Sequence, residues 1–197
     1  MSAINHHSIL KASLGIFFLV TSVCSFSQVS SNDSLNYFQM LQADSLFGNK
    51  SKGKIPGNFV LKNKDGKLLT NTDLDSKTTF VNFWFEGCHP CVAEFQALEK
   101  LYNRNKSRKD FQFISISLDP DSVIERVRKE NRLTYPVYHL SQDSCWKMNF
   151  NSGFPTNWIV DKSRKVIYSF TGGSLDPNEA DKFLNYFIQA ELDKQLK

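Results

Sequence analysis

Blocks of apolar and polar positions follow one another along this chain, and each block predicts an element. Phe59-Val60-Leu61 and Lys67-Leu68-Leu69 flank the turn signal Lys64-Asp65-Gly66, which predicts a hairpin. Thr78 to Phe85 is rich in β-branched and aromatic residues, as expected of a strand buried on both faces. From Cys91 the spacing changes, and Phe95, Leu98, Leu101 and Tyr102 fall on one helical stripe. Phe111 to Leu118 alternates apolar and polar positions, so it reads as another strand. Asp119-Pro120 starts a helix whose apolar face is Val123, Ile124 and Val127. A short helix follows over Asp143 to Phe150, then a strand pair, Thr156 to Val160 and Lys165 to Phe170, joined by Asp161-Lys162-Ser163-Arg164. Asp176-Pro177 caps a last helix with Ala180, Phe183, Leu184, Phe187 and Ile188 inward. The sum is an α/β fold with a central mixed sheet flanked by helices, without repeats or a second domain.

The N-terminal stretch has a different pattern. Lys11 is the only formally charged side chain in the first 27 residues and precedes the apolar run Leu14 to Val20, too short to span a bilayer. Ser25 and Ser27 supply small residues where a signal peptidase reads. This predicts a signal peptide over residues 1–27, a polar linker over 28–54 and the folded domain over 55–197. A lipid anchor through Cys24 fits less well, because Val23 stands where a small residue is wanted. Export places the protein in the periplasm, where a close pair of thiols meets oxidising conditions.

Composition adds mainly exclusions. The 197 residues are 41% apolar and 22% charged, ordinary for a soluble domain, and the 17 phenylalanines predict an aromatic core. A net charge of +4 is spread among 20 acidic residues, which gives no support for a nucleic-acid partner.

The candidate chemistry is Cys88-His89-Pro90-Cys91, at the junction of the Thr78–Phe85 strand and the following helix. A sulfur at a helix N-terminus meets free backbone N–H groups and the positive end of the dipole, so its thiolate is favoured. Pro90 suits the first helical turn, where its missing N–H costs nothing. Cys88, at the helix end, reads as the attacking thiol and Cys91 as the resolving one. Cleavage before Gln28 leaves one further thiol, Cys145, which reads as a buried apolar residue. A zinc clamp is a competing reading of any close cysteine pair, but it wants about four ligands. Only Cys145 and His139 remain in the mature chain to supply them, besides His89 within the motif.

Val81 to Phe95, containing this motif, resembles the active-site region of TlpA/ResA-like proteins, exported members of the thioredoxin superfamily. Gly153-Phe154-Pro155-Thr156-Asn157-Trp158-Ile159-Val160-Asp161 is similar to their second signature. The hairpin has a counterpart there too, as an N-terminal extension of the thioredoxin-like fold. The resemblance spans residues 55 to about 190. It implies that Pro155 is cis and faces the disulfide, and that the Phe154 backbone pairs with a partner polypeptide. The resemblance also implies that Gly87, His89 and Pro90 line the partner-binding face. Glu94 stands where the family often carries a glutamate that exchanges the thiol proton; cytoplasmic thioredoxins instead have a buried aspartate at the position of Asn82.

What the resemblance implies for function is a monomeric thiol–disulfide oxidoreductase with no cofactor or metal beyond its own cysteine pair. It would reduce exported protein disulfides, as in cytochrome c maturation, and be recharged by a membrane thiol-transfer reductase. An oxidising or isomerising relative is the alternative direction. A thiol peroxidase fits poorly, since Val81 and Phe85 stand where that chemistry needs Pro and Thr ahead of Cys88. Gly87 departs from the usual tryptophan and predicts a more open site. His89, when protonated, would favour the Cys88 thiolate, and Glu86 would oppose it.

Overall fold

A computed structural model describes residues 50–196. The signal segment and residues 28–49 of the linker lie outside the described residues. Residues 51–54 sit against the fold: the Gly53 N–H donates to the Val166 carbonyl at 2.8 Å, and the Val166 N–H donates to the Lys54 carbonyl at 2.9 Å.

Strands β1 (Val60–Lys62) and β2 (Leu68–Thr70) form the hairpin, followed by a 3-10 turn over Asn71–Leu74. Next come β3 (Thr78–Trp84), α1 (His89–Asn105), β4 (Phe111–Ser117), α2 (Asp121–Asn131) and β5 (Val137–His139). Then follow α3 (Gln142–Met148), β6 (Thr156–Val160), β7 (Val166–Thr171) and α4 (Pro177–Lys182). A π-helical stretch over Phe183–Ile188 leads into α5 (Gln189–Gln195). The seven strands lie in the order β2-β1-β5-β4-β3-β6-β7. β3, β4 and β5 are mutually parallel and the other pairings antiparallel, so the sheet is mixed.

Side-chain alternation along β3 divides the core in two. Phe80 and Trp84 face α1, α2 and the C-terminal helices, packing with Phe95, Leu98, Leu101, Ile124, Val127, Phe183 and Leu184. Val81 and Phe83 face the other side, with Leu61, Ile114, Ile116, Trp158 and Cys145 of α3. The steps from β3 to β4 and from β4 to β5 run the same way along the sheet. Parallel crossovers share one hand, so both steps put their helices, α1 and α2, on the same face.

Besides the π-helical stretch that interrupts the expected last helix, two strands differ from the pattern-based expectation. β5 has no counterpart in it; at three residues this strand has no room to show a period. In β4 the polar positions of the alternation are inside as well, with Ser115 and Ser117 fully buried. Alternation marks a solvated face only when nothing covers it, and here both faces of the central strand are covered.

Candidate active site

The end of β3 delivers the chain to the site. The Cys88 N–H donates to the Phe85 carbonyl at 3.1 Å, which closes a turn and sets Cys88 as the N-cap of α1. Cys88 and Cys91 are joined as a disulfide with Cα atoms 5.2 Å apart. The Cys91 N–H donates to Cys88 Sγ at 3.3 Å, so a free N–H of the first helical turn is aimed at the sulfur that reads as the nucleophile. Cys88 keeps 6% of its surface exposed and Cys91 1%, so the access expected of Cys88 is real but narrow. His89 is exposed and Pro90 half-buried in the same turn.

The Phe154–Pro155 bond is cis, as the resemblance implied. Pro155 is held from behind by the Gly172 N–H, which donates to its carbonyl at 2.8 Å. A Cβ placed on Gly173, the next residue, would lie 2.7 Å from Glu94 Oε1, 3.1 Å from Pro155 Cγ and 3.4 Å from Pro90 Cβ. The loop after β7 therefore closes over Glu94 and the two prolines, and a larger residue there would have to displace the Glu94 carboxyl.

Glu94 sits one turn beyond Cys91, at the i and i+3 spacing that makes helical side chains neighbours. It is 1% exposed, and the Asn157 Nδ2–H donates to its Oε2 at 3.1 Å. Burial, only partly offset by that hydrogen bond, pushes its carboxyl up to about 8. Behind Asn157 the Asn82 Nδ2–H donates to Asn157 Oδ1 at 2.9 Å, and the Ser115 hydroxyl donates to Asn82 Oδ1 at 3.1 Å. The Trp84 indole N–H donates to Ser115 Oγ at 2.8 Å.

Gly87 is exposed and bordered by Phe85, whose ring carbon would lie 3.1 Å from a Cβ on Gly87. Phe85 packs edge-on to Phe154 at 5.4 Å, and Trp146 packs edge-on to Phe154 at 5.1 Å. These three half-buried rings form an aromatic flank that runs from Gly87 to the cis-proline loop. Glu86 is engaged elsewhere: its carboxylate pairs with Arg126 at 2.6 Å and its N–H donates to Asp119 Oδ2 at 2.7 Å. Cys145 lies in the core on the opposite side of the sheet from Cys88 and Cys91 and cannot join them as a ligand. Burial pushes its thiol up to about 12.

The sequence reading therefore placed Cys88, Cys91, Glu94, Phe154 and Pro155 in one site and missed Asn157, Ser115, Trp84, Gly173, Phe85 and Trp146. One signal for a buried polar row, though not for its partners, was available: asparagine is depleted in strands, and Asn82 stands inside an apolar run while Asn157 precedes another.

The sequence profile of the Redoxin family matches residues 50–184. The chain belongs to the Redoxin family. Within it, the thiol-disulfide oxidoreductase ResA of Bacillus cereus is 31% identical over 133 residues, covering 64% of this chain and 75% of that protein. ResA of Bacillus subtilis is 27% identical over 123 residues, covering 62% and 68%. A putative thiol:disulfide interchange protein DsbE from Chlorobium tepidum shares the fold, with a TM-score of 0.63 at 20% identity over 74% of this chain and 98% of that one. The thioredoxin domain of a thiol-disulfide oxidoreductase from Bacteroides vulgatus gives a TM-score of 0.54 at 26% identity, covering 68% and 98%. This Redoxin chain is thus a TlpA/ResA-like member of the thioredoxin superfamily and a thiol–disulfide oxidoreductase with the redox pair Cys88–Cys91.

Proposed function

We propose that this protein is an exported reductant of protein disulfides, with Cys88 as nucleophile, Cys91 as resolving thiol and Glu94 as the acid–base group of Cys91. The observation that carries this reading is a fully buried carboxyl one helical turn from the more buried sulfur, pushed up to about 8 by that burial.

The Cys88 thiolate attacks one sulfur of the partner disulfide, and the partner's other sulfur leaves as a thiolate that takes a proton from water. Cys91 then gives its thiol proton to the Glu94 carboxylate, and its sulfur attacks Cys88 Sγ. The Cys88–Cys91 bond forms and the partner's remaining sulfur departs as a thiolate. Two electrons have passed to the partner. In the reverse step, when a dithiol reduces this protein, neutral Glu94 returns the proton to Cys91 as its sulfur leaves. A carboxyl titrating near 8 can serve both directions at neutral pH.

The partner lies across the cis-proline loop, flanked by Phe85, Phe154 and Trp146, with its backbone on Phe154 and its side chains toward Gly87, His89 and Pro90. Export rests on the pattern of Lys11, Leu14–Val20 and Ser25–Ser27. Recharging by a membrane thiol-transfer protein and a role in cytochrome c maturation complete the proposal, as does a monomer working with no bound cofactor. Among the described residues no helix is long and apolar enough to cross a membrane.

Trapping tests the roles. Cys91→Ser should accumulate a mixed disulfide on Cys88 with exported proteins, and failure to form such adducts would remove Cys88 as the nucleophile. A redox titration against glutathione tests the direction. A potential toward the thioredoxin end, roughly −270 mV, fits a reductant, and one near about −120 mV overturns it.

A further inference from the structure

Three polar side chains lie in a row across the most buried part of the sheet, where polar groups are expensive. Ser115 of β4 stands opposite Asn82 of β3, and Asn82 stands opposite Asn157 of β6. All three are fully buried, on the face of the sheet that carries α1. A row of valines would pack this position without any hydrogen-bonding requirement, so the row needs a reason.

The reason lies in its direction. The Trp84 indole N–H can only donate, so Ser115 Oγ accepts from it, and in the structure the Ser115 hydroxyl donates in turn to Asn82 Oδ1. Asn82 then has only its amide N–H₂ to offer on its other side, so Asn157 must present Oδ1 to it. That turns the Asn157 N–H₂ toward Glu94 Oε2. Each amide orientation follows from the one before, and the chain ends on a carboxyl oxygen. The other oxygen, Oε1, lies on the side of Gly173, Pro155 and Pro90, the residue before Cys91.

We infer that Asn157 is a positioning residue: driven by the one-way hydrogen-bond chain from Trp84 through Ser115 and Asn82, it holds Glu94 Oε2 as an acceptor and leaves Oε1 as the oxygen that carries the exchanging proton. This rests on Glu94 being the acid–base group of Cys91 and adds what sets its ionisation and which of its oxygens works. Burial raises the Glu94 carboxyl and the Asn157 hydrogen bond lowers it, so loss of that bond leaves burial unopposed. The titratable groups around Glu94 are few. Cys88 and Cys91 come from its own helix, and the Tyr135 hydroxyl, raised first by burial and then by the charges of Glu99 and Glu94, comes from the segment before β5. Asn82 of β3, Asn157 of β6, Pro155 and Gly173 carry no charge.

The test is a direct titration of the Glu94 carboxyl by carbon NMR in the full-length oxidised protein, with the pH profile of thiol–disulfide exchange measured alongside. Asn157→Leu fills the same space without a donor. Losing one hydrogen bond to a charged acceptor should move the Glu94 midpoint up by about one pH unit or more, and the profile should move with it. Ser115→Ala breaks the chain two links away and should move the midpoint in the same direction by less, although Ser115 never touches Glu94. It serves alone if Asn157→Leu does not fold. A Glu94 midpoint unmoved in the folded variants overturns the inference, because a merely structural row would alter stability and leave the titration in place. The underlying reading fails separately: if Glu94→Gln leaves the exchange profile unchanged, Glu94 is not the acid–base group, whatever Asn157 does to its titration.

Discussion

Glu94 makes the protein's stability depend on pH. Unfolded, its carboxyl titrates near 4.5, and folded it is pushed up to about 8 by burial. Between those values the folded state holds a proton that the unfolded state has lost, so this group's contribution to stability falls as pH rises through that window and levels off above it. The scale is on the order of 5 kcal/mol if the whole difference is realised. Oxidised wild-type protein should therefore lose melting temperature from about pH 5 to 8, and Glu94→Gln should flatten that slope; differential scanning calorimetry across the range decides it. Cys145 makes the opposite case, a titratable group that stays silent. Its thiol, fully buried and pushed up to about 12, should resist alkylation at pH 8 in folded protein and react only after denaturant is added, as mass spectrometry would show. Both placements were legible in the sequence, Glu94 through the family resemblance at the position one turn after Cys91 and Cys145 as the unpaired cysteine that usually serves as a small apolar residue. Asn157 was not legible, because a polar residue inside a strand says nothing about which side chain across the sheet it meets.

At the scale of elements, the site is assembled by one helix start and two loops. α1 brings Cys88, Cys91 and Glu94 on successive turns, which their spacing alone makes plain. The cis-proline loop was legible only through its resemblance to a family signature. The loop after β7 was not legible at all: Gly172-Gly173 reads as an ordinary turn, whereas the fold brings Gly173 against a residue 79 positions earlier, Glu94. Gly173→Ala should therefore cost about 1–3 kcal/mol, since its methyl would push the Glu94 carboxyl and Pro155 from their places. Urea denaturation of the oxidised protein measures this. An unchanged midpoint would mean that the loop lifts freely off the site. The same substitution at Gly57, where a Cβ meets nothing within 4 Å, is the control for general effects of losing a glycine. β5 and the π-helical turn at Phe183–Ile188 also escaped the sequence reading, the first for its brevity and the second because the inward residues Ala180, Phe183, Leu184 and Ile188 follow ordinary helical spacing.

For the whole molecule, the direction of electron flow is a question about folding. The Cys88–Cys91 bond exists in both folded and unfolded chains, so whatever it adds to folded stability it takes from its tendency to be reduced. A disulfide that closes so short a loop restricts the unfolded chain by only ~2 kcal/mol. If the fold accommodates the bond without favour, oxidised protein should be more stable than reduced protein by about that amount. A strong oxidant behaves the other way, its reduced form being the stabilised one. The buried environment here argues for the first case. Reduction would place a second titratable group, the Cys91 thiol, at a 1% exposed position beside an already buried carboxyl, and the two cannot readily both be charged. Guanidinium denaturation of the oxidised and fully reduced protein at pH 7 should show the oxidised form unfolding at the higher midpoint. A reduced form that outlasts the oxidised one would reverse the proposed direction and make this protein a donor of disulfides.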